Sequence, residues 1–172
     1  MFEQYVGKII QWNRERGLLT KFDPSLSLRL LSEEAREFYM AETLAEALCE
    51  YADFWFVYHG YRASSACCQL TAIGFADHVS GIKAIEEWVL HLDEHMRKQI
   101  EFMYSQTRYP HKLCSLDPKT IDMDKNHAME CVIYCNEMKS SKKDSSGKIV
   151  KAEHQEKPAP MVEQRLLKRY GA

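Results

Sequence analysis

An all-α helical bundle is the fold this sequence predicts, on three observations. Apolar residues recur at three-four spacing through most of the chain, as in Phe2, Tyr5, Val6, Ile9, Ile10 and Trp12. Helix-stopping residues punctuate the pattern, with Gly17 after the first stripe and Tyr109-Pro110 after the longest. The connection at Ala41-Glu42 is so short that the helices on either side must be antiparallel neighbours. With 172 residues and an apolar fraction of 45%, the chain reads as one domain long enough to bury a core.

The elements follow in order. Residues 2–16 make a first amphipathic helix and residues 21–24 a loop. Helices are expected over 25–40 and 43–64. The second of these carries Leu48, Tyr51, Ala52, Trp55, Phe56 and Tyr58 around most of its circumference, which is the mark of a buried helix. In so small a chain that predicts a homo-oligomer, a dimer or tetramer with the helix around Trp55 and Phe56 at the subunit contact. Residues 66–79 read as a short helical piece, and Gly81 precedes a long amphipathic helix over 82–104 with Ile85, Trp88, Val89, Leu92, Met96, Ile100 and Met103 as its stripe. A helix over 125–138 with Met129, Val132 and Ile133 inward completes the expected helical catalytic domain, residues 1–138. Residues 139–172 read as a basic C-terminal arm, rich in lysine, with a short terminal helix over 161–170.

Chemistry concentrates in two acidic steps, Glu34-Ala-Arg-Glu37 and Glu50-Tyr-Ala-Asp53, on the two adjacent helices. Residues three apart project from one side of a helix, so each pair can grip one ion. At about 100° per residue, Glu34 and Glu37 fall in the sector of Leu30, Leu31, Phe38 and Ala41, while Glu50 and Asp53 share a sector with Ala47, Phe54 and Val57. Glu46 stands one turn before Glu50 on the same stripe. One such step is ordinary on a solvated helix, but two in succession on apolar stripes are not. Inward carboxylates require cations or protons, because burying them unpaired costs several kcal/mol each. An all-oxygen set without cysteine or histidine suits Mg²⁺, with Mn²⁺ as substitute.

With the acids placed, the stretches Arg29-Leu-Leu-Ser-Glu-Glu-Ala-Arg-Glu37 and Glu50-Tyr-Ala-Asp-Phe-Trp-Phe-Val-Tyr-His-Gly60 resemble the MazG-like members of the all-α nucleoside triphosphate pyrophosphohydrolases. Their pattern of E-x-x-E, a gap and E-x-x-D is joined here by an N-x-x-K step, Asn136-Glu-Met-Lys139, and by a closing segment like Ser146-Gly-Lys-Ile-Val-Lys151. The likeness covers residues 25–62 and 128–160, and the segment from about 80 to 125 is an elaboration on the shortest members. The resemblance implies a bundle of that type completed by oligomerisation, and a hydrolase whose Glu34, Glu37, Glu50 and Asp53 hold Mg²⁺. It implies release of a nucleoside monophosphate and pyrophosphate from a nucleoside triphosphate, with Asn136 and Lys139 binding substrate. Glu37 is the expected general base for the attacking water. A non-catalytic metal-nucleotide-binding or interaction protein on the same helices is the alternative.

Other signals are plainer. No histidine follows a glutamate by three residues, which disfavours a ferritin-like di-iron bundle. The six cysteines (49, 67, 68, 114, 131 and 135) contain no C-x-x-C pair and read as reduced core residues. Trp12, Trp55 and Trp88 lie on apolar stripes and read as core, and Lys142, Lys143, Lys148 and Lys151 as a solvated tail. The N-terminus lacks the pattern of a secretion signal and no apolar run spans a membrane, so a cytoplasmic protein is expected. A net charge of −2 gives no basis for dedicated nucleic-acid binding, while nucleotides remain compatible ligands.

Overall fold

The computed structural model describes residues 2–20, 22–69, 75–106, 117–139, 142, 143, 145, 148, 149 and 156–170, with backbone alone at 68, 69 and 75–81. Among these residues a 3-10 turn, Glu3–Tyr5, leads into six helices: α1 (Val6–Glu15), α2 (Pro24–Met40), α3 (Leu44–Gln69), α4 (Phe75–Gln106), α5 (Pro118–Glu137) and α6 (Pro158–Tyr170). The chain is thus all-helical, as the apolar spacing predicts, and among the described residues the sole extended pairing is an antiparallel bridge between Lys143 and Ile149. No described helix is long and apolar enough to cross a membrane.

The helix ends are set by short-range chemistry. Gly17 adopts φ +62° and its N–H closes on the Arg14 carbonyl at 3.0 Å, a left-handed turn that only glycine takes cheaply. Asp23 accepts the Leu26 N–H at 3.0 Å and Pro24 occupies the first turn, so α2 starts where its donors are satisfied. Thr43 and Glu46 form a reciprocal cap on α3: the Thr43 hydroxyl oxygen accepts from Glu46 N–H at 3.2 Å, and the Glu46 carboxylate accepts from Thr43 N–H at 3.0 Å. Glu46 is therefore spent on the helix start rather than on the acidic site.

Around α3 the other five helices are arranged, α2 along the longest contact and then α5, α6, α1 and α4. Leu48, Tyr51, Ala52 and Phe54 are fully enclosed, each large apolar side chain contributing roughly 1.5–3 kcal/mol by leaving water. The apolar circumference of α3, from which a second subunit was expected, is thus covered largely within one chain. Trp55 and Phe56 are buried within one chain, because helices of the same chain meet α3 on every apolar face. The ring of Phe56 meets Trp12 edge-on at 5.1 Å, and Trp55 donates its Nε1–H to Asp93 at 3.2 Å.

The largest boundary differences from the sequence expectation are at the starts of α4 and α5. Gly81 lies inside α4 rather than before it; a helical glycine costs only about 1 kcal/mol, which the remaining turns outweigh. α5 begins at Pro118, seven residues before the first turn expected, capped by Asp117 accepting Lys119 N–H at 3.2 Å. The expected short piece at 66–79 has no separate existence at its ends, which belong to α3 and α4, and residues 70–74 lie outside the described residues. The terminal helix forms as expected, but it is no appendage: Val162 and Leu166 are buried against α3 and α5 in the same core.

Candidate metal centre and adjoining cavity

Glu34 from α2 and Glu50 and Asp53 from α3 bring carboxylate oxygens within 4.8 Å of one another, all three side chains half-buried. The antiparallel return at residues 41–43 makes this meeting unavoidable once both helices form. Glu37 is left out of the group and is exposed. The buried line of α2 runs through Leu31, Ala35 and Phe38; measured from Leu31 at about 100° per residue, Glu34 stands about 60° round the helix and Glu37 about 120°. The expected inward quartet is therefore an inward trio with Glu37 beside it, near enough for its charge to act on Glu34.

The trio is electrostatically strained without a cation. Burial, then the charges of Asp53, Glu37 and Glu50, push the Glu34 carboxyl up to about 8, with Lys148 opposing. At neutral pH the folded protein thus keeps a proton among these acids. Burial pulls the Lys148 ammonium down, but its hydrogen bond to Glu33 at 2.6 Å and the charges of Glu33, Glu34 and Glu37 outweigh this and hold it above the usual lysine value. Burial, reinforced by Asp53, likewise raises the Cys49 thiol, which stays protonated and inert. Three clustered carboxylates with excess negative charge fit a hard divalent cation such as Mg²⁺ or Mn²⁺, since oxygen donors and charge neutralisation are what such an ion requires.

Glu34 and Asp53 also form part of the wall of a cavity of about 440 Å³ between α1, α2 and α3. Its lining includes the apolar Trp12, Leu30 and Phe56 and the polar Asn136, Lys139, Lys143 and Lys148. Asn136 and Lys139, chosen from sequence, are thus brought to the same space as the acids. Asn136 is buried, and its carbonyl accepts the Trp12 Nε1–H at 2.8 Å. Arg16 is a positioning residue that the sequence did not single out. Its guanidinium donates to the carbonyls of Glu137 and Lys139, each at 3.2 Å, and lies 4.4 Å from the centre of the Trp12 ring, pinning the end of α5 to α1.

Several sequence expectations are redrawn here. Lys148 is no solvated tail residue but is clamped to Glu33, whereas Lys142 is exposed and Lys151 lies outside the described residues. Trp12 and Trp55 are core and Trp88 packs half-buried against it. Cys49, Cys131 and Cys135 are buried, but Cys67 is exposed near the end of α3, and the side chains of Cys68 and Cys114 lie outside the described residues. The most deeply buried acids were not the ones singled out. Asp93 accepts from Tyr51 Oη–H at 2.5 Å and pairs with Arg97 at 3.0 Å, and Asp124 accepts from Tyr104 and Tyr170 at 2.9 and 2.8 Å and pairs with Arg169. Both are satisfied by hydrogen bonds, so they need no ion. No protein-family model, curated protein or solved structure matches this chain, so the likeness to the MazG-like pyrophosphohydrolases rests on its motif residues alone.

Proposed function

We propose that the chain is a Mg²⁺-dependent nucleoside triphosphate pyrophosphohydrolase that releases a nucleoside monophosphate and pyrophosphate. The observation that carries this reading is the meeting of Glu34, Glu50 and Asp53 at a cavity whose wall also includes three lysines. Carboxylates and lysines gathered on the wall of one cavity suit a ligand that is itself a polyanion carrying a cation. Glu34, Glu50 and Asp53 would hold the ion, which when bound neutralises phosphate charge and makes adjacent water more acidic. Lys139, Lys143 and Lys148 supply positive charge to the phosphates, and Asn136 offers a hydrogen bond to sugar or phosphate. Glu37, exposed beside the trio, stands outside that cage and can accept the proton of the attacking water.

Incubation with a panel of nucleoside triphosphates and Mg²⁺, followed by pyrophosphate detection, tests this directly. Asp53→Asn should lose more than tenfold of the turnover, at least about 1.4 kcal/mol of barrier, with helical circular dichroism unchanged. Metal-dependent nucleotide binding without pyrophosphate would instead identify a non-catalytic nucleotide-binding protein.

A further inference from the structure

We propose that His91 and His95 form a binding site for a divalent cation of the Zn²⁺ class, on the outer face of α4 and separate from the acid trio. The two residues stand four apart in a helix, so their rings lie one above the other across a single turn. Their ring centroids are 4.6 Å apart. An imidazole nitrogen binds such an ion at about 2.0–2.1 Å, and two of them side by side on one ion hold their ring centres about 4.5–5 Å apart. The free pair thus already has the spacing of a bound one. Turning the rings about their Cβ–Cγ bonds, to aim one nitrogen of each at a shared point, is what remains.

Access, open donors and charge agree with this reading. Both histidines are exposed, and among the described residues neither imidazole makes a hydrogen bond or an ion pair. At about 100° per residue the pair stands on the side of α4 opposite its buried line of Val89, Asp93, Met96 and Ile100, so an ion enters from water without disturbing the core. Both positions lie well inside Phe75–Gln106, where helical hydrogen bonds before and after them fix the two Cβ atoms in advance. Glu94 follows His91 by three residues and adjoins His95, close enough that the charge of either ring acts on its carboxylate. That carboxylate holds Lys98 at 2.7 Å in the free protein; on leaving it, Glu94 becomes the third ligand. Two nitrogen donors and one carboxylate, with water completing the set, select Zn²⁺, Ni²⁺ or Cu²⁺, whereas the all-oxygen trio of Glu34, Glu50 and Asp53 suits Mg²⁺. The α4 site therefore takes a different class of ion and does not rest on the proposed hydrolase.

The test titrates the full chain with Zn²⁺ alone in metal-free buffer, by calorimetry, beside His91→Ala, His95→Ala, Glu94→Gln and Glu34→Gln. Alanine is a better helix former than histidine, so the two exposed histidine variants should keep the helical circular dichroism of wild type. Each should lose one equivalent of Zn²⁺ or bind it at least about tenfold more weakly, because losing one imidazole turns a chelate into a single donor. All five proteins carry the same cysteines, so Zn²⁺ held by thiols cancels in the comparison. Glu94→Gln should weaken the same equivalent, Glu34→Gln should retain it, and millimolar Mg²⁺ should leave it in place. Equal Zn²⁺ binding by wild type and both histidine variants would overturn the site. Loss in Glu34→Gln with retention in His95→Ala would overturn it as well, since the ion would then lie on the acid trio.

Discussion

At the scale of single residues, Glu34 shows how position converts a common side chain into a responsive one. Its carboxyl, ordinarily near 4.5, is held up to about 8 by burial and by Asp53, Glu37 and Glu50. Between those two values the folded protein binds a proton that the unfolded chain has released. The associated stability is fully present below about 4.5, falls as pH rises towards about 8 and levels off above that. Thermal melts in EDTA from pH 5 to 8.5 should therefore decline for wild type and be flatter for Glu34→Gln; identical slopes would contradict the burial of this carboxyl among like charges. Because a cation must displace that proton, apparent Mg²⁺ affinity should rise over the same interval. Asp53 gives the complementary result. Asp53→Asn should melt higher than wild type in EDTA, since a repelling charge is removed, and gain little from Mg²⁺. Wild type at one hundred times the Mg²⁺ dissociation constant should gain about 2.7 kcal/mol, several degrees for a chain of this size. Equal magnesium shifts in the two proteins would place the ion elsewhere.

At the scale of the element, caps and buried polar hubs decide where helices begin and which neighbours they keep. The Thr43–Glu46 cap fixes the first turn of α3 and so the phase at which Glu50 and Asp53 leave the helix. Thr43→Ala should cost about 1 kcal/mol in urea denaturation, with a small change in Mg²⁺ affinity because the acids themselves are untouched. Asp124 has the larger part. It is 1% exposed and joins Tyr104 of α4 to Arg169 and Tyr170 of α6 from its place in α5. Asp124→Ala leaves an arginine and two hydroxyls without their acceptor, and a loss of about 3 kcal/mol is expected in the same measurement; a loss below about 1 kcal/mol would mean that the hub is not what docks α6.

For the whole molecule, the question is which segments share one core. Val162 and Leu166 are each 1% exposed and belong to the cluster centred on α3, although the lysine-rich stretch before them reads as a boundary. Leu166→Ala should cost about 2–5 kcal/mol, the usual range for a large core side chain. A chain ending at residue 138 should lose cooperative thermal unfolding, because faces of α3 and α5 that α6 covers would meet water. If the shortened chain unfolds cooperatively at the wild-type temperature, the terminal helix is dispensable and the one-core architecture is wrong.

The sequence by itself determined the helices and the acidic steps. Apolar spacing of 3.6 is a local property, so α2, α3 and the stripe of α4 were legible from it, as was the antiparallel meeting of Glu34 with Glu50 and Asp53, since three linking residues leave no other arrangement. Tertiary structure decided what depends on contacts between distant segments. Glu37 points to solvent because α3 lies against the Leu31–Ala35–Phe38 line of α2 and not against the sector that apolar counting included. The apolar faces of α3 are covered by α1, α4, α5 and α6 returning to it, a closure that no window of sequence contains. Asp93 and Asp124 look like ordinary helix acids until tyrosines from other helices donate to them.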